Sequence, residues 1–359
     1  MRVALDATPI LGRPTGVGRY VRGLLGGLAE LPDRPELVLT AFSRSGGEPD
    51  IPGVRWSRRR VPARLLQSAW SLTSLPPVEW LAGRCDVFHA TNFVLPPRRR
   101  AAGVVTVHDL TFLRYPDLVT PAVARYRHLV PRAVRDAAVV LVPSAAVAGE
   151  LADRYRADAD KIRVARPGVD PSWAAARPPD PAWLKTRGLP SSYILAVGTL
   201  EPRKNLVLLT DAHARLRLSD PGAPELVIVG PPGWGPLLRL GDGTHLTGWL
   251  EDADLQRLVA GAACLAFPSL YEGYGLPPLE ALACGTPVVA CDLPVLREVL
   301  GTHAELVPPG DADALAAAIA RAVGDDDPMR RAAGRAHART RTWAAFATDV
   351  LAAYRLAGS

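Results

Sequence analysis

Two glutamates, Glu272 and Glu280, stand at either end of the stretch YEGYGLPPLE, whose interior holds Gly273, Gly275, Pro277 and Pro278. Paired carboxylates can carry out glycoside hydrolysis with retention, which needs an acid and a nucleophile about 5–5.5 Å apart; seven intervening residues neither forbid nor require that distance. The prolines suit the first turn of a helix that runs to Cys284 and stops at Gly285, which puts Glu280 in the opening turn and Glu272 in the loop before it. The acids therefore do not share one helix face. Gly273 and Gly275 allow positive φ or close approach of the backbone to a ligand. The plainer alternative is that both acids complement a helix N-terminus, which favours negative charge.

Three other loops carry groups of interest. In GTLEPRKN, Arg203 and Lys204 sit where a strand passes to a helix. Cations are unfavourable at a helix N-terminus, so the pair makes sense if a strong anion such as a diphosphate lies between them and the helix end. An ordinary surface pair is the alternative. After VVTV come His108 and Asp109, an imidazole and a carboxylate at a strand end. Gly16 and Gly18 in TPILGRPTGVGRY precede a helix, but Val21 stands where the pattern GxGxxG needs its third glycine, so a nicotinamide dinucleotide site is disfavoured. No DxD pair follows a strand, and Asp325 to Asp327 read as a solvated helix-end turn, so no metal ligands are assigned.

These loops need strands and helices to position them, and the pattern supplies both. Strand-like runs occur at 2–7, 36–42, 86–90, 104–107 and 138–142, then at 193–198, 225–230, 245–248, 264–268 and 287–291. Helical patterns alternate with them, as with Val17, Tyr20, Val21, Leu24, Leu25 and Leu28, which argues for α/β architecture with parallel sheets. In such sheets ligands bind beyond the carboxyl ends of strands, where all four loops lie. The proline-rich WAAARPPDPAW marks a boundary, so the expected organisation is a first Rossmann-like domain over 1–172, a linker over 173–190, and a second such domain over 191–340. Residues 341–359 read as a closing helix that packs back on the first domain.

At 359 residues and 48% apolar composition, the chain can bury two cores. Cys85, Cys264, Cys284 and Cys291 lack metal or redox spacing and read as inert packing thiols of a reducing compartment. The first strand-like run, MRVALDA, carries Asp6 and is no leader segment; no apolar run is long enough to span a membrane, so the expected location is the cytoplasm. Residues 1–180 hold 26 Lys+Arg against 17 Asp+Glu, while the rest hold 16 against 19. Within the basic half, Arg55 to Trp70 and PPRRR (Pro96 to Arg100) interleave Arg with apolar residues, which suits either a solvated face or peripheral contact with an anionic membrane surface. Nucleic acid is not an expected partner, because no recognised module is present.

The motifs together resemble the retaining glycosyltransferases of family 4. Glu272 and Glu280, separated by seven residues, match that family's signature, and TGVGRY, VFHATN, VHDLTF, KIRVARPGVD, GTLEPRKNL, TGWLEDADL and PSLYEGYGLPPLEALACGTPVV extend the likeness over almost the whole chain. The resemblance implies a GT-B fold, two doubly wound Rossmann-like domains facing across a cleft. It implies a nucleotide-sugar donor, no other cofactor, no metal, and a glycan or lipid-linked acceptor. It assigns Glu280 to the ribose, and Glu272 with the backbone of Gly273, Tyr274, Gly275 and Leu276 to the donor sugar. Lys204 would lie opposite these acids on the diphosphate. His108 would approach the sugar, with Asp109 on the acceptor side, Gly16 and Gly18 closing over the phosphates, and Gly248 and Trp249 against the base.

Many members have Arg where this chain has Thr199, so Arg203 is expected to supply the second cation. This PRKN variant resembles bacterial mannosyltransferases, which favours GDP-mannose. A glycoside hydrolase, a sugar-nucleotide epimerase and a binding-only sensor stand as alternatives.

Overall fold

The computed structural model describes residues 1–12, 15–43, 46–57, 59, 61–235 and 240–359, with backbone alone at 71–72. The chain divides into two compact units, one of Met1–Gly168 with Thr342–Ser359 and one of Val169–Arg341. Residues 173–190 are no bare linker: most of the helix Pro171–Ala175 and all of Pro181–Thr186 lie there, within the second unit. Each helix starts on an Asp that caps its first turn, Asp170 and Asp180, followed by proline at the first helical position.

The first unit holds a parallel sheet of β1 (Arg2–Asp6), β2 (Glu36–Thr40), β3 (Arg55–Trp56), β4 (Val87–Ala90), β5 (Ala102–Thr106), β6 (Val139–Val142) and β7 (Ile162–Val164). Their order is β3-β2-β1-β4-β5-β6-β7. The second unit holds β8 (Tyr193–Val197), β9 (Glu225–Val229), β10 (Thr244–Gly248), β11 (Cys264–Phe267), β12 (Val288–Cys291) and β13 (Glu305–Val307), in the order β10-β9-β8-β11-β12-β13. All recorded strand pairings are parallel, and the central strands are buried on both faces, which is why they read as continuous Val, Leu and Ala runs.

In both sheets the connections step outward one way from the first strand and then return to its other side. The switch therefore falls between β1 and β4 in one unit and between β8 and β11 in the other. A crevice opens at such a point because the two flanking loops leave in opposite directions.

The helix Gly16–Glu30 turns Tyr20, Val21, Leu24, Leu25 and Leu28 into the first unit's core. The closing helix Trp343–Gly358 packs against it and buries Phe346, Val350, Leu351 and Tyr354. Cys85, Cys264 and Cys291 are buried free thiols, and burial pushes all four cysteines above their ordinary range. They are poor nucleophiles there.

Candidate active site

At the switch point of the second unit, the loop after β8 turns through the short helix Pro202–Lys204 and the loop after β11 runs through Glu272. Their side chains meet. The Lys204 Nζ donates to Glu272 Oε1 at 2.7 Å, and Arg203 lies 2.8 Å from Glu272 Oε2. The other guanidinium nitrogen pairs with Glu201 at 2.6 Å, and Arg203 also donates to the Tyr271 carbonyl at 2.7 Å. These are not surface pairs, since the Arg203, Lys204 and Glu272 side chains are 16%, 13% and 9% exposed. Lys204 thus stands beside Glu272 in one unit rather than opposite it, which corrects the arrangement the resemblance implied. The two residues are far apart in sequence, and only the sheet order brings their loops together.

Burial alone would raise the Glu272 carboxyl, but Arg203 and then Lys204 outweigh it and hold the group down to about 2. Glu272 is therefore ionised at any working pH. Burial pulls the Lys204 ammonium down, and the Glu272 charge opposes that. Lys204 Nζ also lies 4.8 Å over the Phe267 ring, and its stem passes 3.1 Å from where a Cβ on Gly198 would sit. Thr199 is half-buried in the same loop.

Two helices begin beside this cluster, Leu206–Ser219 and Leu276–Cys284, and neither has a side-chain cap. Gly275 is the N-cap of the second, at φ +110°, a conformation that L side chains rarely adopt. Gly273 and Tyr274 are buried before it, and Leu276 is its first residue. Glu280 is 4% exposed and lies in the second turn of that helix, not the opening one, because the helix begins at Leu276. Gly248 ends the edge strand β10, two strands from β8, and its carbonyl accepts from the Gly230 N–H at 2.9 Å; the half-buried Trp249 follows.

The first unit gathers a different set at its switch point. Asp6 ends β1 and is 7% exposed. Its Oδ1 accepts from the Thr8 N–H at 2.9 Å and the Thr8 hydroxyl at 2.5 Å. Thr91, after β4, donates its hydroxyl to the Asp6 carbonyl at 2.6 Å. His108 Nε2 donates to the Thr91 carbonyl at 2.7 Å, and burial lowers its basicity, so the ring is neutral with Nδ1 as the acceptor. The Asp109 Oδ1 accepts from the Thr111 N–H at 2.9 Å and so holds the turn into the helix Thr111–Arg114. Gly16 and Gly18 do not precede the helix but form its first turn, with Thr15 as the cap that accepts from the Gly18 N–H at 3.1 Å. A Cβ on Gly18 would lie 2.9 Å from the Pro9 carbonyl oxygen, so packing explains that glycine.

The family description "Glycosyltransferase Family 4" matches residues 14–173, and "Glycosyl transferases group 1" matches residues 191–325. The O-antigen chain mannosyltransferase B of Escherichia coli is 30% identical over 99% of this chain and 100% of its own length. The chain belongs to glycosyltransferase family 4. Among solved structures, sucrose-phosphate synthase from Thermosynechococcus elongatus shares its fold with a TM-score of 0.76 at 21% identity, covering 99% of this chain and 98% of that one. The Anabaena HepE protein in complex with UDP-glucose gives 0.70 at 18% identity, with 98% of each chain covered. These place the glycosyltransferase in the GT-B fold.

Three parts of this family 4 glycosyltransferase lay outside the expected set. Glu201 directly precedes the PRKN run and was readable as a partner for it. Asp6 counted only against a leader segment, although a carboxylate closing a buried parallel strand is itself a signal. Phe93 takes φ +62°, unusual for a bulky residue, and no sequence pattern marks it.

The basic segment Arg55 to Trp70 is anchored inward. Trp70 is 4% exposed, edge-on to Phe42, and donates to the Pro76 carbonyl at 3.0 Å, while Leu65 points out at 64% exposure. Arg58 and Arg60 lie outside the described residues. In PPRRR, the N–H groups of Arg99 and Arg100 close on Glu79 at 2.9 and 2.8 Å, so that run is a structural loop. Among the described residues, no helix is long and apolar enough to cross a membrane, and no three His, Cys, Asp or Glu side chains gather as a metal site.

Proposed function

We propose that the protein transfers a hexose, mannose favoured, from a nucleoside-diphosphate sugar to a glycan or lipid-linked acceptor, with retention and without a metal. The observation that carries this is the cluster of Arg203, Lys204 and Glu272 at the second sheet's switch point. A departing diphosphate develops negative charge, and two desolvated cations held in place stabilise it more than they would in water. Glu272 already bridges the cations; a diphosphate bound there would take over part of that pairing and leave the carboxylate to accept sugar hydroxyls. The uncapped helix starts at Leu206 and Leu276 add N–H groups suited to anions.

In this reading Glu280 holds the ribose, and Glu272 with the backbone of Gly273 to Leu276 holds the sugar. Thr199 and the first turn at Gly16 and Gly18 line the phosphates, and Gly248 and Trp249 lie against the base. The incoming hydroxyl attacks from the face the diphosphate leaves, and a phosphate oxygen takes its proton. His108, neutral, accepts a sugar hydroxyl. Glu272, held down to about 2, is unfit to be the proton donor that a retaining hydrolase requires. The mannosyl preference is supported by the E. coli relative's name, and the nucleotide-sugar reading by the HepE complex with UDP-glucose. Peripheral contact with the inner face of a membrane, through Arg64 and Leu65, belongs to the same proposal.

The test is a thermal-shift screen of GDP-, UDP- and dTDP-sugars, followed by transfer of labelled sugar to a lipid-linked acceptor in the presence of EDTA, with the product anomer read by NMR. Chelator-resistant formation of the retained anomer is expected. Binding without turnover would make the protein a sensor, inversion would remove the front-face mechanism, and full inhibition by EDTA would overturn the metal-free reading.

A further inference from the structure

The buried carboxylate at the other switch point has no part in that account. Asp6 closes β1 next to the point where β1 and β4 part, and only one of its oxygens is used internally, by Thr8. Among the described residues nothing hydrogen-bonds Oδ2, and that atom is not fully sealed from solvent. No described cation pairs with it. Burial therefore raises the group to about 6, with Thr8 only partly offsetting the rise. A carboxylate kept desolvated without a counter-ion is costly, and such cost is commonly kept where a ligand uses it.

The surroundings say which ligand. Thr91 ties Asp6 and His108 together, its hydroxyl on the Asp6 carbonyl and its own carbonyl receiving His108. With Nε2 thus committed, His108 Nδ1 presents a lone pair, so the edge offers two hydrogen-bond acceptors and calls for a donor such as a hydroxyl. Phe93, in its left-handed backbone conformation, lies edge-on to His108 at 5.6 Å and stacks on Tyr126 at 4.7 Å. Burial raises the Tyr126 hydroxyl, and the Asp6 and Asp109 charges add to that rise while Arg125 opposes it. Acceptors of hydroxyl hydrogens suit a sugar, and two carboxylates are unfavourable for a phosphate.

We propose that Asp6 is an acceptor-binding residue that receives a hydroxyl group of a neutral terminal sugar of the acceptor at the carboxyl end of the first sheet, beside the His108 that the transferase reading gives to the donor sugar. The proposal rests on the transferase reading above. It narrows the acceptor to an uncharged sugar at the reacting end.

The variant Asp6→Asn tests it, because the amide keeps an oxygen for Thr8 while replacing the acceptor oxygen with a donor. Wild type and variant are assayed with GDP-mannose and a panel of octyl α-mannoside, β-glucoside, β-galactoside and β-N-acetylglucosaminide, using the best acceptor of the four. The acceptor KM should rise at least tenfold, while the donor KM and the nucleotide-induced rise in Tm stay within about twofold of wild type, and the variant's own Tm at pH 8 should not fall. An unchanged acceptor KM overturns the proposal. So does a fall in Tm with donor and acceptor constants moving together, which would make Asp6 a structural turn residue. Nucleotide-sugar binding by the wild type with transfer to none of the four removes the transferase reading, and this proposal with it.

Discussion

The two sheets each place a largely buried carboxylate at their switch point, on opposite sides of it, and treat it in opposite ways. Glu272, after β11, lies between Arg203 and Lys204 and is held down to about 2; among the described residues the Asp6 carboxylate, at the end of β1, meets only the amide and hydroxyl of Thr8 and is pushed up to about 6. Burial is nearly the same, with side-chain exposure of 9% for Glu272 and residue exposure of 7% for Asp6, so the neighbouring charges set the difference. The second unit is arranged around cations, which suits an anionic leaving group. The first presents uncompensated acceptors, which suits neutral hydroxyls.

The largest effect that would break this contrast concerns stability. Glu272→Gln leaves Arg203 and Lys204 largely buried without the carboxylate that bridges them, so unfolding should become easier by about 3–5 kcal/mol in denaturant melts. A loss below about 1 kcal/mol would mean that the cations are solvated and the ion pair is weak. Next is Lys204→Ala, which should cost about 2–5 kcal/mol of transition-state stabilisation, read as kcat/KM for the donor. Near-normal transfer would dismiss its assignment to the diphosphate.

The pH dependence sharpens the contrast further. Glu272 has a folded pKa below its unfolded value, so its stabilisation is present above about pH 4.5 and is lost as pH falls through about 2. Asp6 has the reverse sign: its folded pKa lies above its unfolded value, so the fold carries no cost from it below about pH 3.8 and the full cost above about pH 6. Asp6→Asn should therefore raise stability at pH 8 by about 1–3 kcal/mol and flatten the decline between pH 4 and 7. A variant less stable than wild type at pH 8 would show that the charge is compensated. The smallest effect is that of Glu280→Ala, which should raise the donor KM by about tenfold with little change in kcat if it holds the ribose equally in ground and transition states.

Much of this was legible in the sequence because parallel strands buried on both faces leave long apolar runs. Nine of the ten longest strands were readable that way; β10, the edge strand THLTG, has no buried residue, and β3, β7 and β13, of two or three residues, are too short to show a period. The loops bearing Lys204, Glu272, Glu280 and His108 could be found because ligands gather after strands. Their pairing could not, since it depends on strand order: β8 and β11 are neighbours although β9 and β10 intervene in the chain. The run from Arg55 to Trp70 left a solvated face and membrane contact open and did not show that Trp70 is buried, because a residue's type does not say which side of a helix meets the core.

The central claim, that the Lys204 and Arg203 cluster holds a diphosphate, is tested most directly by titration calorimetry of wild type and Lys204→Met. The ligands are GDP, UDP or dTDP, whichever stabilises the wild type most, and the matching nucleoside. The account predicts at least about 30-fold weaker diphosphate binding in the variant, with nucleoside binding kept within about twofold. Diphosphate binding unaltered by the substitution, or weakened no more than nucleoside binding, would contradict it.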